Sequence, residues 1–180
     1  MLGLQYHLAT LPAHILIVTF SAHIFTNAIL KNMKKMKNMK KMKFYISGKI
    51  GEEVISEATR QKFAKAEAML KAKGFEVFNP TCEEWQRHVR MMYEKDRNAK
   101  EPWLEGKFPD LYGYTILRDL MVLSTKDAIY MLADWTKSDG ANVELDFARA
   151  TGKQIFWENK EDAQVFCDDD KNYNVWLPIE

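Results

Sequence analysis

Glu144 is the side chain of this sequence best placed for covalent chemistry. It lies in Trp135-Thr-Lys-Ser138-Asp-Gly140-Ala-Asn-Val-Glu144-Leu-Asp-Phe-Ala148-Arg-Ala-Thr-Gly152, directly after the apolar run from Ala128 to Ala133. A buried strand, a polar glycine-containing turn and a helix make a β-loop-α unit, with Ser138 or Asp139 near the N-cap and Glu144 in the first or second helical turn. A carboxylate there faces the crevice beyond the strand. Helix amides and the positive end of the macrodipole favour its ionised form, which suits a group that must attack as an anion. The same placement also serves a helix that does no chemistry, because acids in first turns stabilise helix ends generally.

Other chemistries lack their parts. Neither GxGxxG nor GxxxxGK[ST] occurs, so the dinucleotide and triphosphate readings have no phosphate cradle. His88 is the only histidine after residue 42, with no nucleophile and orienting acid arranged around it in sequence. The two cysteines, Cys82 and Cys167, show no CxxC or Cys/His spacing. That argues against a zinc site and a disulfide framework, and for a reducing, cytoplasmic compartment. No metal or cofactor is expected, and the carboxylates remain.

The elements that must position them follow from pattern. Lys43-Phe-Tyr-Ile-Ser-Gly-Lys-Ile50 reads as a first buried strand ending in a Ser47-Gly48-Lys49 turn. Residues 52–73 read as a helix with an apolar stripe through Val54, Ala58, Phe63, Ala66 and Leu70, stopped by Gly74. Phe75-Glu-Val-Phe78 before Asn79-Pro80 is a second strand, and 82–95 a further helix. Residues 96–112, with Pro102, Gly106 and Pro109 among Trp103, Phe108 and Tyr112, read as a loop or lid. A helix over 114–125 carries Arg118 and Asp119 into a strand at 127–133; after the Glu144 helix, Lys153–Trp157 is another strand. Strands alternating with helices predict an α/β fold with a doubly wound, mostly parallel sheet, in which ligands bind beyond the carboxyl ends of the strands. The Ser47–Lys49 and Trp135–Gly140 loops both fall on that rim.

Size and charge set the surroundings. The 180 residues suit one domain with an appendage, and the 47% hydrophobic composition is ample for a core. The net charge of +1 conceals a division: residues 1–42 carry six lysines and no acid, leaving the body, 43–180, with a net charge of −5. An acidic body argues against a nucleic-acid partner. Residues 11–30 are mostly apolar and long enough for a membrane anchor, although Pro12, His14, His23 and Asn27 interrupt them. Methionines at 33, 36, 39 and 42 favour instead a gene start assigned too far upstream; a basic tail is the third alternative. A membrane partner follows only from the anchor reading, and no catalytic role is expected before Lys43.

Tyr45-Ile-Ser-Gly-Lys-Ile50, Asn79-Pro80, Leu117-Arg-Asp119-Leu, Asp127-Ala-Ile-Tyr-Met-Leu132 and Trp135-x-x-Ser138-x-Gly140-Ala-x-x-Glu144, in that order over residues 43–158, resemble the nucleoside 2-deoxyribosyltransferase superfamily, especially its small bacterial and phage branch. The resemblance implies cleavage of the N-glycosidic bond of a 2′-deoxynucleoside or its 5′-monophosphate through a covalent glutamyl ester. It assigns the nucleophile to Glu144, the acid that handles the leaving base to Asp119, and a hydrogen bond onto the glutamate to Tyr45. Ser47, Gly48, Lys49, Trp135, Ser138 and Gly140 become the substrate-binding set, with Trp135 either stacking on a base or closing the core. Nucleoside transferases of the superfamily carry aspartate six residues before the nucleophile and monophosphate hydrolases carry serine. Ser138, with Lys49 where proline is common, therefore points to a 5′-phosphate at a helix N-terminus. The resemblance also implies a homo-oligomer whose neighbour helps close the pocket. An enzyme, hydrolase or base-exchanging transferase, and a nucleotide-binding module that has lost turnover are the two classes left open.

Overall fold

The computed structural model describes residues 42–52, 54–98, 109–165 and 174–179. The chain divides between Met39 and Lys40, and everything described belongs to the second unit. The N-terminal extension, residues 99–108 of the expected lid, and Cys167 lie outside the described residues.

Five parallel strands make one sheet in the order β2-β1-β3-β4-β5: β1 (Lys43–Ser47), β2 (Glu76–Phe78), β3 (Ala128–Met131), β4 (Gln154–Trp157) and β5 (Asn174–Trp176). The helices are α1 (Glu57–Ala72), α2 (Glu83–Asp96), α3 (Leu111–Ser124), α4 (Asp139–Ala150) and α5 (Lys160–Val165), with a 3₁₀ turn at Trp135–Lys137 before α4. This is the doubly wound α/β architecture expected from the alternation of patterns. Helices cover both faces, which is why β3 is buried at every residue and reads as an unbroken apolar run.

Alternation along β1 sorts the two cores. Phe44 and Ile46 face α1, packing with Phe63, Ala66 and Leu70, while Tyr45 faces the other side with Leu123 of α3 and Leu145 of α4. Ser47 follows Tyr45 by two residues, so it shares Tyr45's face. Strand order reverses between β1 and β3, paired with Tyr45 beside Ile129 and Ser47 beside Met131. The carboxyl ends of these two strands therefore splay their following loops apart and leave a crevice between them.

Two helix starts and two further elements differ from the sequence reading. Helix α1 starts at Glu57, not at 52, because the Ser56 hydroxyl caps it by accepting from the Thr59 amide and the Glu52 carboxylate bonds back to the Ser56 amide. Residues 48–52 and 54–55 are thereby released as a loop over the sheet. Helix α3 starts at Leu111, not at 114: Asp110 accepts from the Gly113 amide at 2.7 Å, so Tyr112 is helical rather than part of a lid. At its far end, the buried Lys153 ammonium donates to the carbonyls of Ser124 and Lys126, at 3.0 and 2.6 Å, closing the last turn of α3. Helix α5 and strand β5 follow β4, where the sequence reading placed no element; both are short, and β5 shows only three residues of pattern.

The amino-terminal ends of the strands are knitted into the opposite rim. Asp127 donates its amide to the Lys43 carbonyl, accepts from the Lys43 amide on its side chain at 2.8 Å, and passes its own carbonyl to Gln154.

Candidate active site

A cavity of about 720 Å³ opens at the carboxyl ends of β1, β2 and β3, a volume suited to a small ligand such as a nucleotide. Its walls come from the Gly48–Ile55 loop, from Gln86, Val89 and Arg90 of α2, from the first half of α3, and from residues 137–144. Glu144 and Asp119 both line it while being 7% and 6% exposed, so they are carboxyls at the bottom of a crevice rather than surface acids.

Glu144 is held at both oxygens. The Tyr45 hydroxyl donates to Oε1 at 2.7 Å and the Ser47 hydroxyl to Oε2 at 2.5 Å. The period-two alternation of β1 makes this possible, since residues 45 and 47 stand one above the other on the face that α4 covers. Burial pushes the Glu144 carboxyl up to about 7, against the opposing pull of the Ser47 and Tyr45 hydroxyls. The sequence reading had the helix N-terminus keeping this group ionised; the structure reverses that balance. Glu144 is the sixth residue of α4, beyond the uncapped amides, where the dipole has faded and desolvation dominates.

Asp119 projects from α3 onto the same floor. Its Oδ1 accepts from the Trp85 indole N–H at 2.7 Å, and its carboxyl also reaches the Tyr45 hydroxyl. Burial first, and then the charge of Glu144, raise it well above the usual carboxylate range, with Trp85 and Tyr45 pulling the other way. Tyr45, wholly buried between two acids, is raised as well and stays a phenol. Two buried carboxyls this close resist holding two charges, so one keeps its proton when the other ionises.

The loops form the rest of the wall. Gly48 is buried where a Cβ would stand 2.8 Å from Leu132 Cδ1 and 2.9 Å from its Cβ, so only glycine lets the β1 loop pass the end of β3. Asp134 ties the two loops together: the Lys49 amide donates to Oδ1 at 3.1 Å, and Lys62 bridges Oδ2, at 2.5 Å, to the Lys49 carbonyl, at 2.8 Å. Ser138 caps α4 by accepting from the Ala141 amide at 3.2 Å, while its carbonyl takes the Asn142 amide. The amides of Asp139 and Gly140 stay unused by the helix and border the cavity, as does the Lys49 side chain.

The structure therefore brings together Tyr45, Ser47, Asp119 and Glu144 at the floor, and Gly48, Lys49, Ser138 and Gly140 at the wall. Two assignments change. Ser47 does not line the cavity; it is a buried strand residue that holds Glu144. Trp135 is buried away from the cavity, packs on Trp157 with ring centroids 5.5 Å apart, and donates its indole N–H to Asp162. Its ring closes the core, because the 3₁₀ turn rotates it under the loop. Sequence reasoning missed Trp85, whose one signal was that a half-buried indole needs an acceptor. Among the described residues no cluster of three or more His, Cys, Asp or Glu could hold a metal ion, and no helix is long and apolar enough to cross a membrane. The 11–30 segment lies outside the described residues.

Fold and site define an α/β protein with a doubly wound parallel sheet and an acid pair at its switch point. The chain belongs to the family described as a domain of unknown function, DUF4406, whose model matches residues 42–157. Among solved structures it is similar to a 2-deoxyribosyltransferase from the psychrotolerant bacterium Bacillus psychrosaccharolyticus, at 19% identity over 64% of this chain and 70% of that one, with a TM-score of 0.40. It is also similar to a conserved protein from Enterococcus faecalis V583, at 12% identity over 76% and 82% of the two chains, with a TM-score of 0.38. No curated protein matches it.

Proposed function

We propose that this protein cleaves the N-glycosidic bond of 2′-deoxynucleoside 5′-monophosphates through a glutamyl ester on Glu144. The observation that carries the reading is the buried pair itself: a carboxyl oriented by two hydroxyls, beside a second whose hold on a proton is raised by burial and by the charge of the first. Glycosidic cleavage needs that combination, one group to capture an electron-poor anomeric carbon and one to protonate the departing atom.

In the first half-reaction a Glu144 oxygen bonds to C1′ as the C1′–N bond breaks, and the Asp119 proton passes to the base nitrogen that takes the electron pair. In the second, water or another base attacks C1′, the ester bond returns its electrons to Glu144, and the proton lost by the attacking group restores Asp119. The 5′-phosphate sits against the Asp139 and Gly140 amides and the Ser138 hydroxyl, whose own proton is free to donate because its oxygen already accepts from Ala141. Lys49 supplies the countercharge from the facing loop.

The test is release of free base, followed by chromatography, when the full chain is incubated with each deoxynucleoside and each 5′-monophosphate, with Glu144→Gln in parallel. The expected result is release from monophosphates, lowered by at least about a thousandfold in Glu144→Gln, with a sugar-phosphate adduct on the wild-type chain by intact mass. Nucleotide binding without release from any substrate, or equal release by Glu144→Gln, overturns the reading.

A further inference from the structure

We propose that Trp85 is a positioning residue for the leaving-base step: its indole N–H, bonded to Asp119 Oδ1, confines the acid proton of Asp119 to Oδ2 and fixes the plane in which it is offered. This rests on Asp119 acting as the acid in the reaction proposed above.

The argument begins with what an indole can do. Nε1–H is a donor with no acceptor capacity, so the oxygen it faces must accept. In a protonated carboxyl the carbonyl oxygen is the better acceptor, and at 2.7 Å it is Oδ1 that takes that role. The proton is left to Oδ2. A carboxyl without such a neighbour can carry its proton on either oxygen and rotate about its bond to Cβ, and only some of those arrangements present an O–H to a base.

Trp85 can impose the geometry because it is itself fixed. Its ring stands edge-on to Phe78 of β2, centroids 5.2 Å apart, and is stacked on His88 one turn later, at 5.6 Å. Phe78 in turn stacks on Tyr45, at 5.6 Å, so the indole, the phenol and both carboxyls form one packed unit spanning β1, β2, α2, α3 and α4. The Tyr45 and Ser47 hydroxyls both give their protons to Glu144, and the indole N–H takes Asp119 Oδ1, so the Oδ2 proton of Asp119 is left for the base.

The titratable groups facing Asp119 are Tyr45 from β1 and Glu144 from α4. His88 stands behind the indole, and Lys49, Arg90 and Lys137 are cations of the cavity wall. All of these are common to wild type and to Trp85→Phe, which keeps a ring against Phe78 and His88 and removes only the N–H donor and part of the bulk. A hydrogen bond to the ionised form of Asp119 disappears, so Asp119 should hold its proton to higher pH. The expected outcome for Trp85→Phe is a kcat about tenfold lower with KM within about twofold. The alkaline limb of the kcat/KM profile should move upward by about one pH unit, the size of one charge-assisted hydrogen bond. A tryptophan that served packing alone would lower the amplitude and the melting temperature and leave that limb in place; this result overturns the proposal.

A second measurement does not depend on turnover or on the variant folding. In wild-type protein labelled with ¹⁵N at the indole nitrogens, one of the five indole N–H resonances should titrate with Asp119, and it should stop titrating in Asp119→Asn. No titrating indole resonance overturns the proposal. A titrating resonance in a protein that releases no base would leave the Trp85–Asp119 unit standing while the reaction proposed above fails.

Discussion

Glu144 is where the fold and its chemistry oppose each other. An unfolded glutamate ionises near 4.5, whereas this one is pushed up to about 7, so folding binds an extra proton between those values. Stability is unaffected by this group below about 4.5, is lost progressively as pH rises towards 7, and above that the deficit is constant at about 3 kcal/mol. Glu144→Gln should remove that deficit while giving up one acceptor for the Tyr45 or Ser47 hydroxyl, a loss of about 1 kcal/mol. Thermal melts should therefore show the variant more stable than wild type at pH 8 and less stable at pH 4, with activity abolished at both. Ser47→Ala acts in the opposite sense: without that hydroxyl, Glu144 holds its proton more tightly. The acidic limb of kcat/KM, expected near 7 in wild type, should move up by about one pH unit with the alkaline limb left in place. At this scale the sequence was legible in placing Glu144 and Ser138, where residue type and helix position sufficed, whereas Asp119 was singled out only by the family resemblance. It was silent where function depends on a partner far along the chain: Ser47 and Trp85 lie 97 and 34 residues from the carboxyls they hold. The helix-dipole argument for an ionised Glu144 failed because sequence shows position along a helix but not depth of burial.

The elements were legible in type and order, and their ends were not. α1 and α3 both begin at residues whose side chains happen to cap them, Ser56 and Asp110, and each shift changes the site. The late start of α1 leaves residues 48–52 and Ile55 to wall the cavity, and the early start of α3 puts Tyr112 at the rim, on the helix face that carries Thr115, Ile116 and Asp119. β5 escaped notice because three residues carry too little period to register. The tightest point between elements is Gly48 against Leu132. Gly48→Ala should destabilise the protein by about 1–3 kcal/mol through overpacking, measured as a lower urea midpoint with an unchanged slope. The same substitution should raise KM, since the β1 loop can relieve the clash only by moving away from the end of β3.

For the whole molecule, the strand order β2-β1-β3-β4-β5 decides where any ligand must go, because it provides one place where neighbouring connections leave in opposite directions. The alternation of strand and helix patterns made this fold readable from sequence without any motif. The sheet's bonding begins at the Met42 carbonyl, which takes the Glu76 amide, and the family match begins at the same residue. A polypeptide of residues 42–180 should therefore melt within about 2 °C of the full chain, which corresponds to well under 1 kcal/mol for a domain of this size. It should also release base at the same rate, and a loss of either would mean that the extension takes part in the folded body. The opposite rim, with Asp127 stitching β1, β3 and β4 together, bears none of the candidate chemistry, since every strand runs the same way and delivers its reactive end elsewhere. It is thus a natural handle: a thiol introduced at the exposed Lys73 would tether the protein to a sensor surface with its cavity facing the solution, once Cys82, next to the cavity's own Pro80, and Cys167 have both been replaced by serine.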